Sequence, residues 1–172
     1  MKEALIVVDM LCDFLEEGGA LYCGNRARRI IPFVKRTIER FRKNKHVVIY
    51  ATDSHSRNDA QFRLFGRHCV SGSYGSRIIE EIKPDRGDFV VPKSTYDATF
   101  KSDLVKILKR HRVKKVFLVG VCTSICVMET ASSLTKLGFG VNILKRGVAD
   151  FDKSAHNFAL KRMKLIYGAK II

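Results

Sequence analysis

The chain has 172 residues, and its 32 Lys and Arg against 17 Asp and Glu give a formal net charge of +15. Hydrophobic residues make up 46% of the sequence, which excludes a disordered basic tail. No apolar run reaches the length of a membrane span, and no signal-peptide core is visible near Met1. We therefore expect one cytoplasmic domain over residues 1–172, with no membrane partner.

The positive charge has two ready explanations. A nucleic-acid-binding protein is basic, and so is an enzyme whose surface steers anions. The cations concentrate in residues 26–45 and 106–115, mostly on polar faces or ends of predicted helices. Solvated helix faces usually explain such runs, and no helix-turn-helix, zinc finger or RNA-recognition motif is visible. Binding to nucleic acid is therefore the weaker hypothesis.

The five cysteines indicate reduced thiols. They stand at positions 12, 23, 69, 122 and 126. An odd number without a secretion signal argues against a disulfide framework. No Cys-x-x-Cys pair occurs, which argues against a zinc ribbon. One of these thiols is thus available as a nucleophile.

Strand-like and helix-like segments alternate along the chain. This alternation predicts a doubly wound, Rossmann-like three-layer α/β fold, with a mostly parallel six-stranded sheet in the order 3-2-1-4-5-6. The predicted strands are 4–8, 47–51, 89–91, 116–119, 141–144 and 169–172. The predicted helices are 26–43, 102–112, 124–137 and 154–164, with a short one near 76–82. Pro92 is expected to stop the third strand.

Reactive side chains follow the predicted strands. Ligands of open α/β sheets bind outside the carboxyl ends of the strands, so these side chains should share one rim. Cys126 falls in the first turn of a predicted helix, where the backbone N–H groups and the charge of Lys93 favour a thiolate. Asp9 can take the thiol proton and return it to a leaving amine. Each residue alone has an ordinary structural explanation, but together they form a triad suited to attack on an amide carbonyl.

A second group of residues has the chemistry of a metal site. Asp53 and His55 stand two residues apart at a strand end and point the same way, and His68 returns from the following loop. Two imidazoles and a carboxylate suit zinc, manganese or iron. Asp59 is a possible fourth ligand or a partner of a ligand. The alternative is that these are solvated loop residues.

With these residues placed, the chain resembles the isochorismatase-like cysteine hydrolases, and most closely their nicotinamidase branch. Six segments carry the resemblance, in the family's order and over nearly the whole length. Residues 8–14 (VDMLCDF) and 18–21 (GGAL) resemble the opening motif and the segment after it. Residues 53–55 (DSH) and 68–72 (HCVSG) resemble the metal-site segments. Residues 93–100 (KSTYDATF) and 120–127 (GVCTSICV) resemble the lysine segment and the nucleophile loop.

The resemblance implies amide hydrolysis through a thioester. Cys126 would attack the carbonyl, with Asp9 as the proton shuttle and Lys93 as its charge partner. A cis peptide between Val121 and Cys122 is also implied, with the N–H groups of Cys122 and Cys126 as the oxyanion hole. Nicotinamide, converted to nicotinate and ammonia, is the best single substrate.

The resemblance further implies what the site binds. A divalent metal, zinc first with manganese or iron as alternatives, would bind the pyridine nitrogen of the substrate at Asp53, His55 and His68. No organic cofactor is implied, and the protein is expected to be a dimer or tetramer. The implied substrate contacts are Phe14, Phe65 and Tyr96.

The sequence departs from the nicotinamidase pattern at several points. Nicotinamidases usually carry Trp-Pro before the last metal histidine, whereas Phe65, Gly66 and Arg67 precede His68 and the chain has no Trp. Cys122 stands where the family often has Ala. A small N-carbamoyl or ureido compound, hydrolysed by the same triad, is therefore the alternative substrate. Isochorismatases proper lack the nucleophilic cysteine, so Cys126 argues against that activity.

Overall fold

The computed structural model describes residues 2–172 and contains a six-stranded sheet. Its strands are β1 (Glu3–Val8), β2 (Val47–Asp53), β3 (Phe89–Lys93), β4 (Lys115–Gly120), β5 (Gly140–Val148) and β6 (Lys170–Ile171). Their order is β3-β2-β1-β4-β5-β6, and all five neighbouring pairs run parallel. The predicted doubly wound fold and strand order are confirmed.

Helices cover both faces of the sheet. They are α1 (Cys12–Leu15), α2 (Asn25–Arg28), α3 (Ile31–Lys43), α4 (Phe62–Phe65), α5 (Leu104–Arg110), α6 (Met128–Lys136) and α7 (Lys153–Leu165). Alternate residues of β1 enter two apolar clusters, with Ile6 packed on the side of α5, α6 and α7 and Leu5 on the side of α3. No helix within residues 2–172 is long and apolar enough to cross a membrane.

Two prolines change the predicted boundaries. The expected helix over 26–43 is divided into α2 and α3, because Pro32, in the first turn of α3, has no N–H to continue a preceding helix. The prediction that Pro92 ends the third strand was wrong, since β3 runs on to Lys93. β3 is an edge strand, where one missing N–H costs no hydrogen bond to a neighbouring strand.

The junction after β4 requires a glycine. Gly120 has φ +117°, and a Cβ at this position would lie 2.0 Å from the carbonyl oxygen of Val8 in the neighbouring strand. The chain then enters a π-helical turn, Thr123–Val127, and continues into α6. The close approach of β4 to β1 thus fixes where the chain leaves the sheet.

We expect Gly120→Ala to lower the free energy of unfolding by at least about 2 kcal/mol, because it adds backbone strain and a collision with Val8. Gly87→Ala is the matched control, since Gly87 also has positive φ but faces open space. Gly87→Ala should lower the free energy of unfolding by only about 1 kcal/mol. Urea unfolding measures both variants, and equal costs would contradict the packing argument.

Candidate active site

Four reactive side chains meet at the carboxyl edge of the sheet. Asp9 directly follows β1, and Cys126 lies in the turn after β4. Asp53 and Lys93 are the last residues of β2 and β3, and the strand register pairs them. All four side chains are buried. The structure therefore brings together the residues that the sequence places after separate strands.

The ammonium group of Lys93 is the centre of this cluster. It donates hydrogen bonds to Asp53 Oδ1 at 2.9 Å, to the Thr95 carbonyl oxygen at 3.1 Å and to Cys126 Sγ at 3.5 Å. Asp9 Oδ2 lies 2.8 Å from the same nitrogen in an ion pair. Moving a charged ammonium group from water into the protein interior costs free energy. The four partners of the buried Lys93 offset this cost.

Asp9 has an unusual backbone conformation that directs its carboxylate to the cluster. Its φ is +50°, a region that Asp tolerates better than most residues with a side chain. Oδ1 accepts a hydrogen bond from the Asp53 N–H at 2.8 Å. Oδ2 lies 2.8 Å from the Lys93 ammonium, and hydrogen bonds from Cys126 and Lys93 lower the pKa of this carboxylate. This oxygen can therefore take a proton from a nearby donor.

Burial and charge set the resting protonation states. Burial raises the pKa of Asp9 to about 6, and the charge of Lys93 limits the rise. Burial and the charge of Asp9 raise the pKa of the Cys126 thiol, although Lys93 opposes the shift. Burial alone would lower the pKa of Lys93, but Asp9, Cys126 and Asp53 hold it well above its usual value. Burial and Asp9 thus oppose the thiolate form of Cys126, and Lys93 favours it.

Asp53, His55 and His68 form a second cluster at the same rim. Their ligand atoms all lie within 4.8 Å of one another. Nε2 of His55 is 2.9 Å from Asp53 Oδ2, and Nε2 of His68 is 3.4 Å from the same oxygen. Ligands bound to zinc at about 2.0–2.2 Å have separations of this size. The chemistry and spacing of this donor set therefore fit a divalent metal.

Outer hydrogen bonds orient the two imidazoles. Nδ1 of His55 lies 3.0 Å from Asp59 Oδ2, and Nδ1 of His68 lies 2.9 Å from the Gly66 carbonyl oxygen. Such contacts fix the proton on Nδ1 and leave Nε2 to bind a metal. The sequence predicts Asp59 as a fourth metal ligand or as a partner of a ligand. In the structure, Asp59 is a partner of His55 and lies outside the ligand cluster.

Asp13 holds the segment that carries His68, a role that sequence reasoning missed. Its carboxylate accepts hydrogen bonds from the N–H of Cys69 at 2.7 Å and of Ala20 at 3.2 Å. Gly75 approaches so closely that a Cβ there would lie 2.1 Å from the same carboxylate. The only signal in the sequence is the position of Asp13 in the opening motif.

A largely apolar pocket leads to Cys126. The predicted contacts Phe14, Phe65 and Tyr96 all line it, as does Cys122. The peptide bond between Val121 and Cys122 is cis, as the resemblance implies. Among the hydrogen bonds of the described residues, none is donated by the Cys122 N–H. Sequence reasoning missed the further lining residues Leu21, Gln61 and Ile125.

A doubly wound parallel sheet with a buried cysteine, lysine and carboxylate at its carboxyl edge is the arrangement expected of a cysteine-dependent hydrolase. A family model described as an isochorismatase domain matches residues 3–172. The chain is also 31% identical to the isochorismatase family protein PncA from Bacillus subtilis, which is described as uncharacterized, over 99% of both sequences. The chain belongs to the isochorismatase family.

Solved structures share the fold over almost the whole chain. Nicotinamidase/pyrazinamidase PncA from Bacillus subtilis superimposes with a TM-score of 0.94 and 32% identity, covering 99% of both chains. Pyrazinamidase from Pyrococcus horikoshii in complex with zinc superimposes with a TM-score of 0.93 and 33% identity, covering 100% of this chain and 99% of that one. N-carbamoylsarcosine amidase from Thermoplasma acidophilum superimposes with a TM-score of 0.91 and 32% identity, covering 99% of this chain and 95% of that one.

We expect zinc at about 100 times its Kd to stabilise the chain by about 2.7 kcal/mol. For a protein of this size, that free energy raises Tm by roughly 5–10 °C. His68→Ala should abolish the shift, whereas His111→Ala, outside the ligand cluster, should keep it. Thermal unfolding with and without added zinc measures the effect. An equal zinc-induced rise in Tm in the unmodified protein and in both variants would contradict the assigned metal site.

Proposed function

We propose that this isochorismatase-family hydrolase cleaves a small carboxamide through a thioester on Cys126. Nicotinamide, converted to nicotinate and ammonia, is the best single substrate. The observation that carries the proposal is the Lys93 ammonium, which contacts both the Cys126 sulfur and the Asp9 carboxylate at the end of an apolar pocket. This is the arrangement that an activated nucleophile requires.

The proposed reaction begins with attack of the Cys126 sulfur on the amide carbonyl as Asp9 takes the thiol proton. Because the pKa of Asp9 is raised to about 6, this residue is ionised at neutral pH and still holds a proton well enough to return it. The N–H groups of Cys122 and Cys126 would stabilise the oxyanion. Asp9 then gives its proton to the leaving nitrogen and ammonia departs. Water, deprotonated by Asp9, cleaves the thioester and releases the acid.

The pocket favours an uncharged aromatic acyl group. Phe14, Phe65 and Tyr96 surround the space in front of Cys126, and ring faces of this kind hold a flat substrate. Zinc, when bound at the Asp53 cluster, supplies a Lewis-acidic position for a ring nitrogen. Gln61 adds a side-chain amide to the lining. These features support nicotinamide over amides without a ring.

An N-carbamoyl or ureido substrate remains the second candidate, supported by the similarity to N-carbamoylsarcosine amidase. Such compounds carry a carboxylate, which a binding site usually neutralises with a cationic side chain. Among the described residues, no Arg or Lys lines the pocket, and the nearby Lys93 is already bound to two carboxylates. The charge distribution therefore favours the neutral amide.

We expect Cys126→Ala to reduce ammonia release from nicotinamide on the order of 10³-fold or more, because the nucleophile is lost. Cys122→Ala is the matched control, since it removes a neighbouring thiol but keeps the backbone N–H. Its rate should stay within about tenfold of the unmodified enzyme. Circular dichroism verifies that both variants fold. Undiminished ammonia release by folded Cys126→Ala would exclude the thioester mechanism.

A further inference from the structure

A second, wider cavity continues outward from the catalytic pocket. Its volume is about 510 Å³, against about 50 Å³ for the space in front of Cys126. The two cavities share Phe14, Leu21, Phe65, Cys122 and Ile125 as walls. A molecule whose carbonyl lies at Cys126 can therefore extend into the wider space. We call this space the outer groove, lined beyond the shared walls by Ala20, Tyr22, Cys23, Leu64 and Phe151.

The chemistry of the outer groove is apolar. Among the described residues that line it, none is charged. Its floor contains the thiols of Cys23 and Cys122, whose sulfurs are 3.4 Å apart and which behave here as small apolar groups. At its rim, Leu64 and Phe151 expose 75% and 59% of their surface to water. Covering such side chains with an apolar ligand is favourable in proportion to the area removed from water.

We propose that the outer groove binds an apolar substituent on the acyl group of the substrate. This inference rests on the proposed function, because it places the scissile carbonyl at Cys126. It narrows the substrate class to uncharged aromatic carboxamides that carry a hydrocarbon substituent, and nicotinamide is the unsubstituted reference compound. A carboxylate at the same position should be rejected, because the groove has no charged side chain to pair with it.

The test is an ammonia-release assay on nicotinamide and on analogues with a propyl or phenyl group at each free ring carbon. At one position or more, the substituted amide should have a kcat/KM at least about tenfold above that of nicotinamide, since three buried CH₂ groups suffice for a larger gain. The analogue with a carboxyethyl group at that position should lose the gain. If nicotinamide is hydrolysed and every substituted amide is slower, the inference is wrong but the proposed function stands. If no amide releases ammonia, both fail.

A matched pair of variants tests the location. Phe151 lines the outer groove and Phe158 does not, yet the two are exposed to 59% and 58%. Phe151→Ser should lower the ratio of kcat/KM for the preferred substituted amide to that for nicotinamide by about threefold to tenfold, through lost contact area. Phe158→Ser should leave the ratio unchanged. Equal ratios in both variants would place the substituent elsewhere and overturn the inference.

Discussion

One buried lysine between two carboxylates is the interaction on which the rest of the site depends. Lys93 lies 2.8 Å from Asp9 and 2.9 Å from Asp53, and all three side chains are buried. With both site histidines neutral, one positive charge against two negative charges leaves a net charge of −1. A divalent cation at the neighbouring ligand cluster would change this net charge from −1 to +1. The catalytic cluster and the metal cluster are linked through Asp53, which belongs to both.

The sheet supplies this arrangement through strand register. Asp53 and Lys93 are paired residues at the ends of two parallel strands, so their proximity requires no loop. Asp9 is linked to the same place, because its carboxylate accepts a hydrogen bond from the Asp53 N–H. Cys126 lies outside the strands, in the π-helical turn after Gly120. The strands thus fix the positions of the charged side chains, and the turn that follows β4 fixes the position of the nucleophile.

The same residues explain how far the sequence was informative. Continuous apolar runs reveal buried strands, and reactive residues directly after them reveal the rim, which is why Asp9, Asp53, Lys93 and Cys126 were found. Leu21 and Ile125 were missed, since an apolar side chain that lines a pocket has the same pattern as one in the core. The boundary at Pro92 was missed because a local rule about proline ignores that β3 is an edge strand.

The raised pKa of the Cys126 thiol was also beyond the sequence, which shows the nearby Lys93 but not the depth of burial. The net charge of +15 likewise gave little guidance, because the pocket that leads to Cys126 is lined by two aspartates and by no Arg or Lys among the described residues. The cytoplasmic location, the single domain and the dimeric or tetrameric state stay predictions.

A double-mutant cycle on Lys93 and Asp9 tests the central claim most directly. Urea unfolding with a chelator present would compare Lys93→Met, Asp9→Asn and the double variant, so that bound metal does not enter the comparison. Lys93→Met alone leaves two buried carboxylates without their cation, which should cost about 3–5 kcal/mol. The account predicts that the double variant is destabilised by at least about 1 kcal/mol less than the sum of the two single variants. Strictly additive costs would contradict it, because they would mean that the buried lysine does not stabilise the Asp9 carboxylate.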